Sequence, residues 1–130
     1  MSRVRSGRAA AIPLNVQEAF RRRLRQHAEE AWKDLCREVV VRFRGAFAYV
    51  DAFPLQHQFM PGTTPEERAR IEATPTRLCR LGYLGSPGRW AFAFFKYSDE
   101  KYEPSFLPAG GFTGAPEEAL DCAALVYLQD

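Results

Sequence analysis

Two stretches of this chain alternate their side chains with a period of two, and that period belongs to strands rather than helices. In Ala46-Phe47-Ala48-Tyr49-Val50-Asp51-Ala52-Phe53, large residues alternate with small ones, and Phe47, Tyr49 and Phe53 share a face with Asp51. In Arg89 to Tyr97, Trp90, Phe92 and Phe94 point one way while Ala91, Ala93 and Phe95 point the other. A strand that apolar on both sides belongs inside a sheet. Paired ribbons of this kind need a roof, which limits the chain to architectures with helices laid on a sheet.

The remaining strands follow from the same reading. Glu38-Val39-Val40-Val41-Arg42-Phe43-Arg44 is β-branched and ends in alternation. Gly45 follows it, so residues 39–53 read as a hairpin with Gly45 near the turn, where positive φ is cheap. Arg77 to Leu84 is a third strand, expected to place Leu78, Arg80, Gly82 and Leu84 on one face and Cys79, Leu81 and Tyr83 on the other. Gly85-Ser86-Pro87-Gly88 turns the chain into the strand carrying Trp90. Tyr102 to Leu107 reads as a fifth strand at an edge, because Pro104 has no N–H to donate.

Helices account for the rest. Asn15 and Glu18 look like an N-terminal cap pair, and Val16, Phe20, Leu24, Ala28, Ala31 and Leu35 form one apolar stripe, widened by Trp32. Thr64-Pro65-Glu66-Glu67 opens a short helix running to about Glu72, inside an insertion over residues 54–76. Pro116-Glu117-Glu118 opens a last helix with acidic residues where the helix dipole favours them. The expected fold is α+β: an antiparallel meander of four to five strands, N-terminal and C-terminal helices on one face, and a short exposed helix in the insertion.

The 130 residues fit one domain over 1–130 and can bury a core unaided. Cys36, Cys79 and Cys122 are odd in number and scattered, which does not support a disulfide framework or a CxxC zinc site, and they read as small buried hydrophobes. No segment approaches the ~20 apolar residues of a membrane span. Residues 1–12 read as a disordered basic arm: Arg3, Arg5 and Arg8 come without a secretory signal's apolar core, and an organelle transit peptide is the alternative. Charge is lopsided, with eleven Lys/Arg against five Asp/Glu in residues 1–45 and seven against eleven in residues 46–130. Such asymmetry suits a polyanion-facing end, or two faces that attract each other within the fold or across a homodimer.

Three stretches together resemble a family of small bacterial proteins: Arg42-Phe43-Arg44-Gly45-Ala46-Phe47-Ala48-Tyr49-Val50-Asp51, then Leu78-Cys79-Arg80-Leu81, then Gly111 through Asp121 (GFTGAPEEALD). The resemblance implies a bacterial, cytoplasmic setting and carries no activity with it. Separately, Thr113-Gly114, Glu117-Glu118-Ala119-Leu120 and Tyr127 resemble the strand–loop–helix end of HicB-like antitoxins, which bind a toxin and often DNA. Ala115 departs from that pattern, standing where a capping Ser or Thr is expected.

Enzymatic chemistry finds little footing. The chain has no nucleophile elbow, P-loop, dinucleotide fingerprint or H-E-x-x-H, and so no cofactor or metal motif. His27 and His57 lack ligand spacing and read as surface residues. Asp51, Asp99, Glu103 and Asp121 are the carboxylates a small metal-dependent nuclease or hydrolase would have to gather. Asp51 reads first as a structural aspartate. The strongest functional cue is the arginine set Arg21, Arg22, Arg23, Arg25, Arg42 and Arg44, whose guanidinium forks suit phosphate. The competing reading is a solvated helix face paired with Glu18, Glu29 and the acidic C-terminal half. Tyr49, Tyr83, Trp90 and Phe92 are expected to be core, and would stack bases were one sheet face open. The resulting expectation is a non-enzymatic interaction module with a protein partner, in a nucleic-acid-handling complex; the alternatives are the hydrolase and the antitoxin.

Overall fold

The computed structural model describes residues 11–55, 59–105, 107 and 111–128. Alternation becomes strand where it was expected. β1 (Cys36–Arg44) and β2 (Phe47–Pro54) form a hairpin closed by Gly45 and Ala46, with Gly45 at φ 59. That matches the two-residue loop with glycine at its first position, whose twist suits the flanking strands. α2 (Pro65–Ala73) lies between β2 and β3 (Thr76–Ser86); β4 (Arg89–Lys96) and β5 (Lys101–Pro104) continue the meander. All neighbours are antiparallel in the order β1-β2-β3-β4-β5. A two-residue strand, β6 (Thr113–Gly114), adds to β4 beyond the end of β5, pairing with Trp90 and Ala91. The fold is the α+β meander the sequence predicts.

Both terminal helices cover the same side. α1 (Leu14–Ala31) buries Val16, Phe20, Leu24 and Ala28, and α3 (Pro116–Tyr127) buries Pro116, Ala119, Leu120, Ala123 and Ala124. Beneath them lie Val39, Val41, Ala48, Val50, Ala52, Leu81, Trp90 and Phe92, all in one core cluster. Phe20 sits edge-on to Trp90 at 4.7 Å and to Phe43 at 5.6 Å. The helices are cross-linked by two rungs one turn apart. Arg23 makes a fork of hydrogen bonds to Glu117 at 2.7 and 2.8 Å, and His27 Nε2 lies 2.7 Å from Asp121 Oδ1. Trp32 donates its indole N–H to the same Asp121 oxygen at 2.8 Å. Rungs 23–117 and 27–121 advance together, so α1 and α3 run in the same direction along their seam.

Local details depart from expectation for identifiable reasons. α1 begins at Leu14 behind Pro13, with no side-chain cap; Asn15 already lies inside the helix, and Gln17 reaches back to the Ile12 carbonyl instead. The helix stops at Ala31, so Leu35 falls in the following turn. A bulge between Val50 and Asp51 in the β2–β3 pairing turns both Leu78 and Cys79 inward, where strict alternation would have separated them. Ile12 is buried and donates to the Gly45 carbonyl, so the chain is anchored before residue 13. The rest of the basic arm, residues 1–10, lies outside the described residues, as does His57. α2 carries the expected Thr64–Glu67 capping box and buries no residue. Among the described residues no helix is long and apolar enough to cross a membrane.

Candidate functional site

With both large helices on one side, no helix layer covers the other side of the sheet among the described residues, and Asp51, Ala93 and Phe95 on it are buried beneath neighbouring side chains. Pairing register assigns its residues. Arg44 faces Phe47, Arg42 faces Tyr49 and Val40 faces Asp51 across β1 and β2. Tyr49 faces Arg80, Asp51 faces Arg77 and Phe47 faces Gly82 across β2 and β3. Ala93 and Phe95 continue the face on β4, and Tyr102 and Pro104 on β5. The face is therefore an interleaving of arginines and aromatic rings, and it lies opposite the core.

These groups hold one another. The Arg42 guanidinium lies 5.2 Å from the Tyr49 ring centroid and Arg77 lies 5.1 Å from that of Phe95. Arg80 lies 4.4 Å from Phe47 and 5.4 Å from Tyr102, bridging two rings. At the start of β1, Arg37 lies 4.8 Å from Phe53. Each such contact contributes about 0.5–1 kcal/mol when exposed. The rings also meet edge-on, Tyr49 with Tyr102 at 5.4 Å and Phe95 with Tyr102 at 5.0 Å. Phe47 lies over Gly82, where an added Cβ would come within 3.3 Å of the ring. Glycine is what lets that ring lie down on β3.

Asp51 sits within this lattice and is only 5% exposed. Its Oδ2 is 3.6 Å from Arg42, and its Oδ1 has no hydrogen-bond partner among the described residues. Burial pushes its pKa up, and the charges of Arg42 and Arg77 pull it only part of the way back. Burial, reinforced by the Asp51 charge, holds the Tyr102 hydroxyl up to about 12. Tyr97 closes the far end: its hydroxyl accepts from the Arg77 N–H at 2.7 Å and donates to the Arg77 carbonyl at 3.0 Å.

The six arginines singled out in the sequence separate in space. Arg42 and Arg44 belong to the open face. Arg21 lies 4.8 Å from the Phe43 ring and donates to the Val41 carbonyl, and Arg23 is occupied by Glu117 and the Pro87 carbonyl. Arg22 and Arg25 are exposed on α1. The aromatics split likewise: Trp90 and Phe92 are core and Tyr83 packs against it, whereas Tyr49 is on the open face. Arg77, Arg80, Phe95 and Tyr102 were not singled out. Alternation already sets Arg80 on a face with Gly82 and Phe95 on a face with Ala93, whereas Arg77 joins them only through the β2–β3 bulge, which local sequence does not show.

The carboxylates of the hydrolase alternative do not converge. Asp51 is on the open face, Asp121 is between the helices on the opposite side, and Asp99 and Glu103 share Lys96 at the β4–β5 turn. No three His, Cys, Asp or Glu side chains among the described residues gather as metal ligands would. His27 is half-buried on Asp121, not a surface residue. All three cysteines are free thiols, and desolvation pushes each pKa upward, which keeps them protonated and poorly nucleophilic. No family model matches this chain, and no curated protein or solved structure is significantly similar to it.

Proposed function

We propose that this protein is a non-enzymatic binding module whose uncovered sheet face engages single-stranded nucleic acid. The observation that carries the reading is the alternation of guanidinium and accessible ring across that face: Arg42 on Tyr49, and Arg80 on Phe47 and Tyr102. Unpaired bases stack on aromatic rings and on guanidinium planes alike, and arginine forks take the phosphates between them. An antiparallel sheet with helices on one side and rings on the other is a platform of the size of a few nucleotides. Among the described residues Arg42, Arg44, Arg77 and Arg80 share that side with Asp51, with Glu38 opposite Phe53 and with Glu100 near Arg77, so cations outnumber carboxylates and the local field favours a polyanion.

Fluorescence anisotropy with labelled oligo(U) and oligo(dT) of about 12 nucleotides tests this. Binding is expected at about 50 mM salt and should weaken steeply by about 200 mM. Arg42→Gln with Arg80→Gln should reduce affinity and flatten the salt dependence, while Arg22→Gln with Arg25→Gln should change little. No binding by the folded protein at low salt rejects the reading. A loss confined to the α1 variants would move the site to that helix.

A further inference from the structure

The two edges of the sheet are finished differently. β5 is four residues long and ends at Pro104, which has no N–H to offer a neighbour. β1 is nine residues long and contains no proline, and among the described residues no strand pairs with its outer side. Hairpin geometry says which groups that side presents. Arg44 and Phe47 close a two-residue loop and so exchange both hydrogen bonds. Alternation then commits Arg42 and Val40 to β2, and it turns the N–H and C=O groups of Val39, Val41 and Phe43 outward. The position of Arg21, donating at 3.4 Å to the Val41 carbonyl, agrees with that parity.

Beside this row runs a groove between β1 and α1. A cleft of about 290 Å³, with Ala28, Val39 and Leu55 in its lining, adjoins one of about 120 Å³ along Val39, Val40 and Val41. Arg21, Arg25, Lys33 and Arg37 line these clefts against two carboxylates, Glu29 and Glu38. We propose that the β1 edge docks an extended acidic segment of a partner protein, which adds to the sheet as another strand. The backbone row supplies the ladder once the strand displaces Arg21 from the Val41 carbonyl, and the cationic rim selects the sign of the side chains. A second copy of this chain fits poorly. Arg21 lies at Val41 and Arg25 shares the groove with Val39, so self-pairing about Val40 would bring the two sets of arginines together. A nucleic acid has no alternating amide row to meet the edge. This site is independent of the open face and stands whether or not that face binds nucleic acid.

The probe is a labelled peptide of about four Glu-Val repeats, with a Lys-Val peptide of equal length as control, titrated into the full chain. Binding of the acidic peptide alone is expected, with slowed hydrogen exchange at the Val39 and Val41 amides and no competition from oligo(U). Arg21→Glu with Arg25→Glu, both exposed, should weaken binding about tenfold or more. Val41→Pro should abolish it, and the arginine pair keeps the test decisive if that variant does not fold. Equal binding of the Lys-Val peptide, or saturation without change at Val39 and Val41, overturns the proposal. So does a dimeric mass in sedimentation with those amides already protected, because the occupant is then a second copy.

Discussion

The two faces of this sheet are made by alternate residues of the same strands, yet they are stabilised by different physics. On the helix side of β2, Ala48, Val50 and Ala52 are 0% exposed and belong to the apolar core cluster. On the other side of the same strand, Phe47 is 36% exposed and Tyr49 half-buried, and their partners are guanidinium groups. The covered face excludes water by burial, a non-directional effect that scales with area. The open face is tied by cation–π contacts and edge-on rings, directional and individually weak. One face is complete within the chain. The other leaves Phe47 exposed and Tyr49 and Tyr102 half-buried, while Phe95 beside them is buried.

Truncation on the covered face should show the largest effect. Phe92→Ala removes a buried ring beneath both helices, and urea unfolding should report a loss of about 3–5 kcal/mol. The same truncation at Tyr49 should cost clearly less stability. If the two losses are equal, the faces are not energetically distinct.

Binding should invert that ranking. Tyr49→Ala is expected to lower oligo(U) affinity by about 1–3 kcal/mol, the range for one stacked base. Tyr83→Ala, on the covered side against Trp90 at 5.1 Å, should leave affinity unchanged in a folded protein. An equal loss for both would mean that binding does not use the open face.

Asp51 sharpens the contrast through pH. Desolvation raises its pKa against the opposing pull of Arg42 and Arg77, so the folded state holds that proton more tightly than the unfolded chain. The stability linked to it is fully present below the ordinary aspartate value near 3.8 and is lost as pH rises through the folded value. Asp51→Asn, neutral throughout, should therefore be more stable at neutral pH by about 1 kcal/mol, with the two melting curves converging in acid. A variant less stable at neutral pH would mean that the carboxylate is better satisfied than its surroundings indicate.

The smallest effect belongs to the seam between the helices. Burial acts to raise the Glu117 pKa and is outweighed by the Arg23 hydrogen bonds and charge, so the net shift is downward. Its contribution is present above the ordinary glutamate value of 4.5 and fades as pH falls through the folded value. Both side chains are about a third exposed, so solvent screens the pair and Arg23→Gln should cost under about 1 kcal/mol. A loss comparable to Phe92→Ala would show that the seam, not the apolar layer, holds the roof in place.

Much of this architecture is written locally. The large–small alternation from Ala46 to Phe53 specifies a strand, Gly45 specifies where the hairpin turns, and Thr64-Pro65-Glu66-Glu67 specifies the start of α2. Each rests on short-range sterics or capping that neighbouring residues settle between themselves. What the local pattern leaves open is the side of the sheet that α1 and α3 cover. Large aromatics occur on both faces of β4, with Trp90 and Phe92 on one and Phe95 on the other, so hydrophobicity alone does not choose. The choice comes from long-range packing of Phe20 against Trp90 and from the rungs joining residues 23 to 117 and 27 to 121. Those contacts separate the α1 arginines from Arg42 and Arg44, and they leave Arg77, Arg80 and Tyr102 together on the open side. Alternation sorts side chains into two sets; only the closing of distant segments decides which set meets water.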